Sequence, residues 1–175
     1  MSQGFEGANL RAIATDAGLS TGALFANFEN KAELFNALVV AEYARLSEAL
    51  AKTPHTGEDV LNDLIASMIT VYGFFWPQLR FAQALFSTDW TCQTRAYRER
   101  ETALAPALAK IAGTLERGKT MGQIRQDLDT ARTSRNLAAL LAASLQTAIQ
   151  LDQDLAITEA AMAETIKTLA KGWQP

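Results

Sequence analysis

Helical periodicity recurs along almost the whole chain, and this feature limits the possible folds more than any other. Apolar residues return at three- and four-residue intervals, as at Leu61, Leu64 and Met68, which places them on one helix face. Alternating β-branched runs joined by Asn-Gly or Asp-Gly turns, the usual signal of β-hairpins, do not occur. Ala and Leu, which are strong helix formers, dominate the composition. The sequence therefore predicts an all-α protein.

Composition excludes several classes of protein. The chain has 175 residues, of which 49% are hydrophobic, so it can form a real core and is not disordered. Its single cysteine, Cys92, and single histidine, His55, cannot supply a disulfide or a Cys/His metal cluster. No signal-peptide pattern opens the chain, and the apolar run 137–145 is too short to span a membrane. We expect a cytoplasmic protein with no cofactor, no catalytic residues and no membrane partner, with His55 solvated in a linker.

Two short helices joined by a tight turn are predicted near the N-terminus. Asn9 is a good N-cap for the first helix, Gly18 ends it in the left-handed conformation, and Ser20 caps the second helix. A small core between the two helices is predicted from Ile13, Ala14, Ala17, Leu19 and Leu24. This spacing is that of a helix-turn-helix, whose second helix can enter a major groove of DNA.

The rest of the chain divides into one connecting helix and several longer ones. Asn30 and Glu33 form a capping-box pattern that opens a long helix over 30–51. A polar linker over 52–58 follows. Further helices are predicted over 58–75, 78–87, 91–117 and 133–151, and Thr158 is predicted to N-cap the last one. We therefore predict a helix-turn-helix domain over 1–50 and a larger helical bundle over 51–175.

The helix-turn-helix segment resembles the TetR family of bacterial transcription regulators. The matching residues are Ile13-Ala14, Ala17-Gly18-Leu19-Ser20, Gly22-Ala23-Leu24-Phe25, Phe28, Lys31 and Leu34. The resemblance covers residues 4–40, and the segment 115–128 is similar to the loop before the penultimate helix of that family. It implies a DNA-binding domain followed by a helical domain that binds an effector and forms a homodimer.

The resemblance also implies roles for individual residues. Thr21, Gly22 and Ala23, in the helix capped by Ser20, would contact base edges of a double-stranded operator. Asn9, Phe25, Asn27 and Lys31 would contact the DNA backbone. The family usually has Tyr in place of Phe25 and often His in place of Asn27, so the phosphate-binding hydroxyl of that Tyr is missing here.

Positive charge is scarce in this segment. Through Phe35 the basic residues are Arg11 and Lys31, against four acidic residues, and the whole chain has a formal net charge of −3. Phosphate binding requires more positive charge than this. Family members begin with a further helix that often carries Arg or Lys, and only its end matches here. We expect that the chain starts at an internal Met, or that this variant has lost the helix.

Two sets of residues in the second domain are candidates for binding. An effector pocket is predicted near Met68, Tyr72, Phe75, Trp90, Tyr97 and Met121, although ordinary core packing is the better explanation for any single one of them. A dimer face is predicted on the last two helices at Leu137, Leu141, Ser144, Ala148, Met162, Ile166, Leu169 and Trp173, because a helix that is apolar on most sides needs partners on two sides. Burial within one chain is the alternative for this second set.

These inferences predict a ligand-responsive transcription regulator, a repressor released by a small, mostly hydrophobic or aromatic effector. The alternative is a helical small-molecule-binding or dimerisation protein that no longer binds DNA.

Overall fold

The computed structural model describes residues 10–16, 18, 20–89 and 94–175, and these residues form α-helices with no strand among them. The helices are α1 (Leu10–Asp16), α2 (Thr21–Asn27), α3 (Lys31–Lys52), α4 (Val60–Phe75), α5 (Leu79–Asp89), α6 (Thr94–Thr120), α7 (Thr130–Leu151) and α8 (Leu155–Ala170). A short 3-10 turn, Trp76–Gln78, joins α4 to α5. The all-α prediction is confirmed.

α1 and α2 pack on a small core of their own. Leu10, Ala14 and Leu24 are its buried members, and Ile13, Phe28 and Leu34 pack against it. Gly18 has φ +68°, the left-handed conformation that glycine adopts without a steric penalty, and it makes the predicted tight turn. The predicted core residues Ala17 and Leu19, and the predicted cap Asn9, lie outside the described residues.

α3 joins this small core to the rest of the molecule. The Asn30 side chain caps α3 by accepting a hydrogen bond from the Glu33 amide at 2.9 Å. The Glu33 carboxylate accepts from the Glu29 amide at 2.7 Å, one residue earlier than a standard capping box would have it. Leu34 belongs to the small core, and from Phe35 onward the buried side chains of α3 belong to the large core. One rigid helix, about 33 Å long at 1.5 Å per residue, therefore spans both cores.

The large core is formed by α3 to α8. The apolar stretch Val60–Thr88 is long and apolar enough to pass as a membrane helix by composition, but its buried side chains pack in this core. Pro77 lies in the 3-10 turn between α4 and α5, at an early position that needs no backbone donor.

Two helix starts differ from those predicted. α7 begins at Thr130, three residues before the predicted start, because the Asp129 side chain accepts from the Arg132 amide at 2.9 Å and caps the helix there. α8 begins at Leu155, and its N-cap is Asp154. Thr158 is not the cap, since it is buried inside α8 and its hydroxyl donates to the Asp154 carbonyl at 3.0 Å.

Candidate functional site

α2 is held from one side and exposes the other. Leu24 is its buried anchor, while Gly22, Ala23 and Phe25 are exposed and Thr21 is half-buried. The Ser20 hydroxyl accepts from the Ala23 amide at 3.1 Å and so fixes the first turn. Phe25 keeps 48% of its surface exposed, which is high for an aromatic residue. α2 therefore offers small side chains and one aromatic ring to a partner surface.

The residues predicted to contact the DNA backbone flank this exposed face. Asn27 is exposed, and its amide donates to the Ala23 carbonyl at 2.9 Å. Lys31 opens α3, where it lines a shallow depression together with Arg11, Phe25 and Asn30. The two basic residues of the first 35 thus lie around one depression, next to the aromatic ring of α2.

A cavity of about 450 Å³ lies between α3, α4, α5, α6 and α7. Three of the predicted ligand residues, Met68, Phe75 and Tyr97, line it. Its other lining residues are Tyr43, Leu46, Leu50, Val71, Leu85, Phe86, Glu101, Leu104, Ala107, Leu108, Ile111, Arg135, Asn136, Ala138, Ala139, Leu141 and Ala142. This volume and largely apolar lining are typical of small-molecule sites.

The other predicted ligand residues lie elsewhere. Tyr72 is fully buried and its hydroxyl is 2.6 Å from the Ser144 hydroxyl, so this pair fastens α4 to α7. Burial raises the pKa of the Tyr72 hydroxyl. Met121 is 43% exposed just beyond the end of α6 and does not line the cavity. Trp90 lies outside the described residues.

Sequence reasoning missed the charged pair in the cavity wall. Arg135 of α7 donates to the Glu101 carboxylate of α6, and these two are the charged residues among those that line the cavity. The hydrogen bond to Glu101 raises the pKa of Arg135, so the guanidinium stays charged. The two residues are 34 positions apart, and no local pattern marks them as partners. Only a wider search for opposite charges on facing helices could have suggested the pair.

Most residues of the predicted dimer face are buried within the single chain. Leu137, Leu141, Ala148, Met162 and Ile166 are each at most 5% exposed. Their side chains pack inside the chain, because α7 and α8 turn their most apolar sides inward, and they leave little surface for a second copy. Leu169 is 37% exposed, Ser144 and Trp173 are half-buried, and contact of these three with a partner stays a prediction.

The linker after α3 is tied down by a polar cluster. The buried Asp63 carboxylate accepts from the Thr56 amide at 2.9 Å, the Gly57 amide at 3.4 Å and Arg117 of α6 at 3.2 Å. Burial by itself would raise the pKa of Asp63, but the Thr56 and Gly57 hydrogen bonds and nearby His55 hold it below its usual value.

His55 takes part in the same cluster. Its Nδ1 lies 2.9 Å from the Arg117 guanidinium, which can only donate, so Nδ1 accepts and is unprotonated. Burial and the positive charges of Lys110 and Arg117 lower the pKa of His55, although Asp63 opposes them. The expectation of a solvated His55 is therefore wrong: the side chain is half-buried because the linker folds back onto α6.

The described fold is that of a helix-turn-helix joined by one long helix to a helical domain with a cavity between its helices. A profile described as "Bacterial regulatory proteins, tetR family" matches residues 1–38. A comparison with functionally curated proteins finds no significant match.

Solved structures share the fold over nearly the whole chain. The fatty acid degradation regulator FadR from Bacillus halodurans superposes with TM-score 0.81 at 18% identity, covering 94% of this chain and 86% of that one. FadR from Bacillus subtilis, solved in complex with stearoyl-CoA, gives TM-score 0.76 at 16% identity, covering 94% and 89%. The TetR-family regulator PfmR from Thermus thermophilus gives 0.71 at 16% identity, covering 97% and 91%. The resemblance found in the sequence is confirmed: residues 1–38 match the family profile, and the chain shares its fold with these solved structures, one of which is a TetR-family regulator.

Proposed function

We propose that the protein is a ligand-responsive transcription regulator that binds operator DNA as a homodimer in the cytoplasm. The observation that carries the proposal is the exposed α2 helix within the segment that matches the family profile. Its one buried side chain, Leu24, packs on the small core, and the side chains on the opposite side of the helix face outward. It has the form of a recognition helix, which reads base edges with residues near its N-terminus.

The chemistry of α2 defines how it would read DNA. Gly22 and Ala23 are small, so the helix backbone can come close to the floor of the major groove. Thr21 brings a hydroxyl and a methyl group, which suit base edges and the thymine methyl respectively. Lys31 and Arg11, which line the depression beside Phe25, would bind phosphates next to the bases that α2 reads.

An effector would occupy the cavity between α3 and α7. The lining favours a mostly hydrophobic molecule whose polar end faces the Arg135–Glu101 pair. An acyl chain with a polar head has this form, and the stearoyl-CoA bound by the Bacillus subtilis neighbour supports that choice over a compact aromatic effector. The chain would then act as a repressor, because ligand in the cavity would move α3 and separate the two recognition helices from their half-sites.

The homodimer would form on the exposed sides of α7 and α8. Leu140 and Leu151 of α7 and Ile157 of α8 keep 39%, 64% and 56% of their surfaces exposed, and Leu169 of α8 is exposed as well. Exposed leucines and isoleucines on two neighbouring helices suit a four-helix interface with a second copy. Light scattering tests this directly: Leu151→Arg with Ile157→Arg should yield monomers, and an unchanged dimer mass would exclude this face.

Selection of bound sequences from a random DNA pool tests the DNA-binding proposal. We expect an enriched palindromic site that the protein shifts in a gel at moderate salt. Ala23→Glu should abolish the shift, since it places a carboxylate against base edges and phosphates. Ala131→Glu, an equal change at an exposed site in α7, should not alter the shift. No enrichment would favour the alternative of a ligand-binding protein that does not bind DNA.

Native mass spectrometry and titration test the effector. Acyl-CoA thioesters of increasing chain length, free fatty acids and aromatic acids should be compared for release of the selected operator. We expect release by acyl compounds and loss of that release in Ala138→Trp, which fills the cavity from α7. Equal release by this variant would place the effector elsewhere.

A further inference from the structure

The interface between α3 and α6 is apolar along most of its length and contains one buried polar clamp. Asn36 of α3 is 8% exposed and Arg100 of α6 is 5% exposed. The Asn36 amide nitrogen donates to the Glu99 carboxylate at 2.7 Å, and its amide oxygen accepts from the Arg100 Nε at 2.9 Å. Two successive residues of α6 thus bind the two ends of one amide group.

This clamp fixes the register of the two helices. An amide presents one donor and one acceptor in a plane, so both bonds hold only when α6 lies at one height along α3. A shift of about 1.5 Å, one residue along a helix, would break both. The apolar core residues farther along, such as Leu46 and Leu50 of α3 and Ile111 and Leu115 of α6, have no such directional requirement.

Both members of the α6 pair are themselves held in place. Arg95 donates to the second Glu99 oxygen at 3.0 Å, and the Arg100 guanidinium lies 5.8 Å from the centre of the Phe35 ring. Phe35 in turn packs on Phe81 of α5, with ring centres 5.8 Å apart. These contacts join α3, α5 and α6 at the clamp.

The same stretch of α6 faces the cavity. Tyr97 precedes the clamp residues along α6, Glu101 and Leu104 follow them, and all three line the cavity. Asn36 lies in the second turn of α3, and only residues 28–30 separate α3 from α2. A displacement of α6 by a cavity ligand thus acts on α3 close to the exposed helix.

We propose that Asn36 is the positioning residue through which occupation of the cavity, acting on Glu99 and Arg100, moves α3 and α2. This inference rests on the proposed function, because it names the residue by which that function would be regulated. It concerns coupling within one chain, so it can be tested without DNA and without the natural effector.

A ring placed in the cavity from α7 can replace the effector in the test. Ala142→Phe inserts a phenyl group among the lining residues, and Ala131→Phe adds the same ring at an exposed site of α7. Hydrogen exchange followed by mass spectrometry reports the amides of 20–36. We expect Ala142→Phe to change their exchange rates at least threefold and Ala131→Phe to leave them within the error.

The decisive comparison is the same substitution in a chain without the clamp. With Asn36→Leu, the response of 20–36 to Ala142→Phe should fall below 1.5-fold. Gln78→Ala is the control, because it removes a hydrogen bond from the 3-10 turn to Glu42 of α3 and does not involve α6. In this background the response of 20–36 to Ala142→Phe should stay at least threefold. Asn36→Asp, which keeps the acceptor for Arg100 but loses the donor to Glu99, serves if the leucine variant does not fold.

Two results would overturn the proposal. One is a full response of 20–36 to Ala142→Phe in the Asn36 variants, and the other is the absence of any response in the unsubstituted background. Operator binding, measured separately, decides the proposed function. If the protein fails to bind DNA but shows the Asn36-dependent response, the coupling proposal stands and only the proposed function is rejected.

Discussion

The carboxylate of Asp63 is the anchor of the linker between α3 and α4, and its removal is the sharpest stability test that the structure offers. Asp63 accepts two backbone amides of the linker, the Thr56 hydroxyl and the Arg117 guanidinium, and its side chain is 2% exposed. Removing one partner of a fully buried ion pair costs about 3–5 kcal/mol. Arg117 is 42% exposed and the linker donors are close to water, so part of the loss is recovered by hydration.

We therefore expect Asp63→Ala to lower the free energy of unfolding by about 2–4 kcal/mol, which is less than for a fully buried pair because of this hydration. Asp63→Asn keeps one acceptor oxygen and the side-chain size, and it should cost about 1–2 kcal/mol. For a chain of this length, about 1 kcal/mol corresponds to roughly 2–4 °C in Tm. The alanine variant should thus melt at least about 4 °C below the unsubstituted protein, and the asparagine variant should lie between them.

Thermal unfolding followed by circular dichroism, with urea denaturation as a second measure, checks these values. Asp127→Ala is the matched control, because Asp127 pairs with Arg125 at a site where both side chains are largely exposed. It should change the free energy of unfolding by less than about 0.5 kcal/mol. The reasoning is refuted if Asp63→Ala melts within 2 °C of the unsubstituted protein, or if the Asp127 control costs as much.

Three further predictions concern packing, pH and DNA. Gly118→Ala places a methyl group 2.7 Å from the Ile124 Cδ1, so it should lower the free energy of unfolding in urea by about 1–3 kcal/mol. Gly113→Ala, which has nothing within 4 Å, should raise it by about 0.4–1 kcal/mol, and equal effects of the two variants would contradict the close packing at Gly118. The pKa of His55 is lowered on folding, so the unfolded chain binds the proton more readily and the free energy of unfolding should fall from pH 7 to pH 5. His55→Gln should reduce this pH dependence, and an unchanged dependence in the variant would count against the contact between His55 and Arg117. Lys31→Ala should weaken binding of the selected operator and reduce the magnitude of the slope of log affinity against log salt by about 1. An unaltered slope would show that Lys31 does not contact a phosphate.

The sequence by itself determined the local structure near the N-terminus. Ser20 and Asn30 cap their helices as predicted, and Gly18 takes the left-handed conformation, because these features depend on a few neighbouring residues. Apolar periodicity likewise determined the all-α class. The motif around Ala14 and Leu24 was sufficient to reveal the resemblance to the TetR family, since it reflects the packing of two adjacent helices.

Tertiary structure decided which faces of the long helices are inside. Leu137 and Ile166 have the pattern of an interface, but they are buried in the chain's own core, and the stripe at Leu151 and Ile157 is exposed instead. On a helix that is apolar on most sides, periodicity cannot tell a partner chain from a neighbouring helix.

The same holds for polar contacts between helices that are distant in sequence. Tyr72 was predicted to meet a ligand and instead meets Ser144, 72 residues away, while Asn36 binds Arg100 across 64 residues. Arg135 and Glu101 come together only because α6 and α7 pack side by side. Local spacing carries no information about such pairs, since the approach of two helices depends on the packing of the whole core.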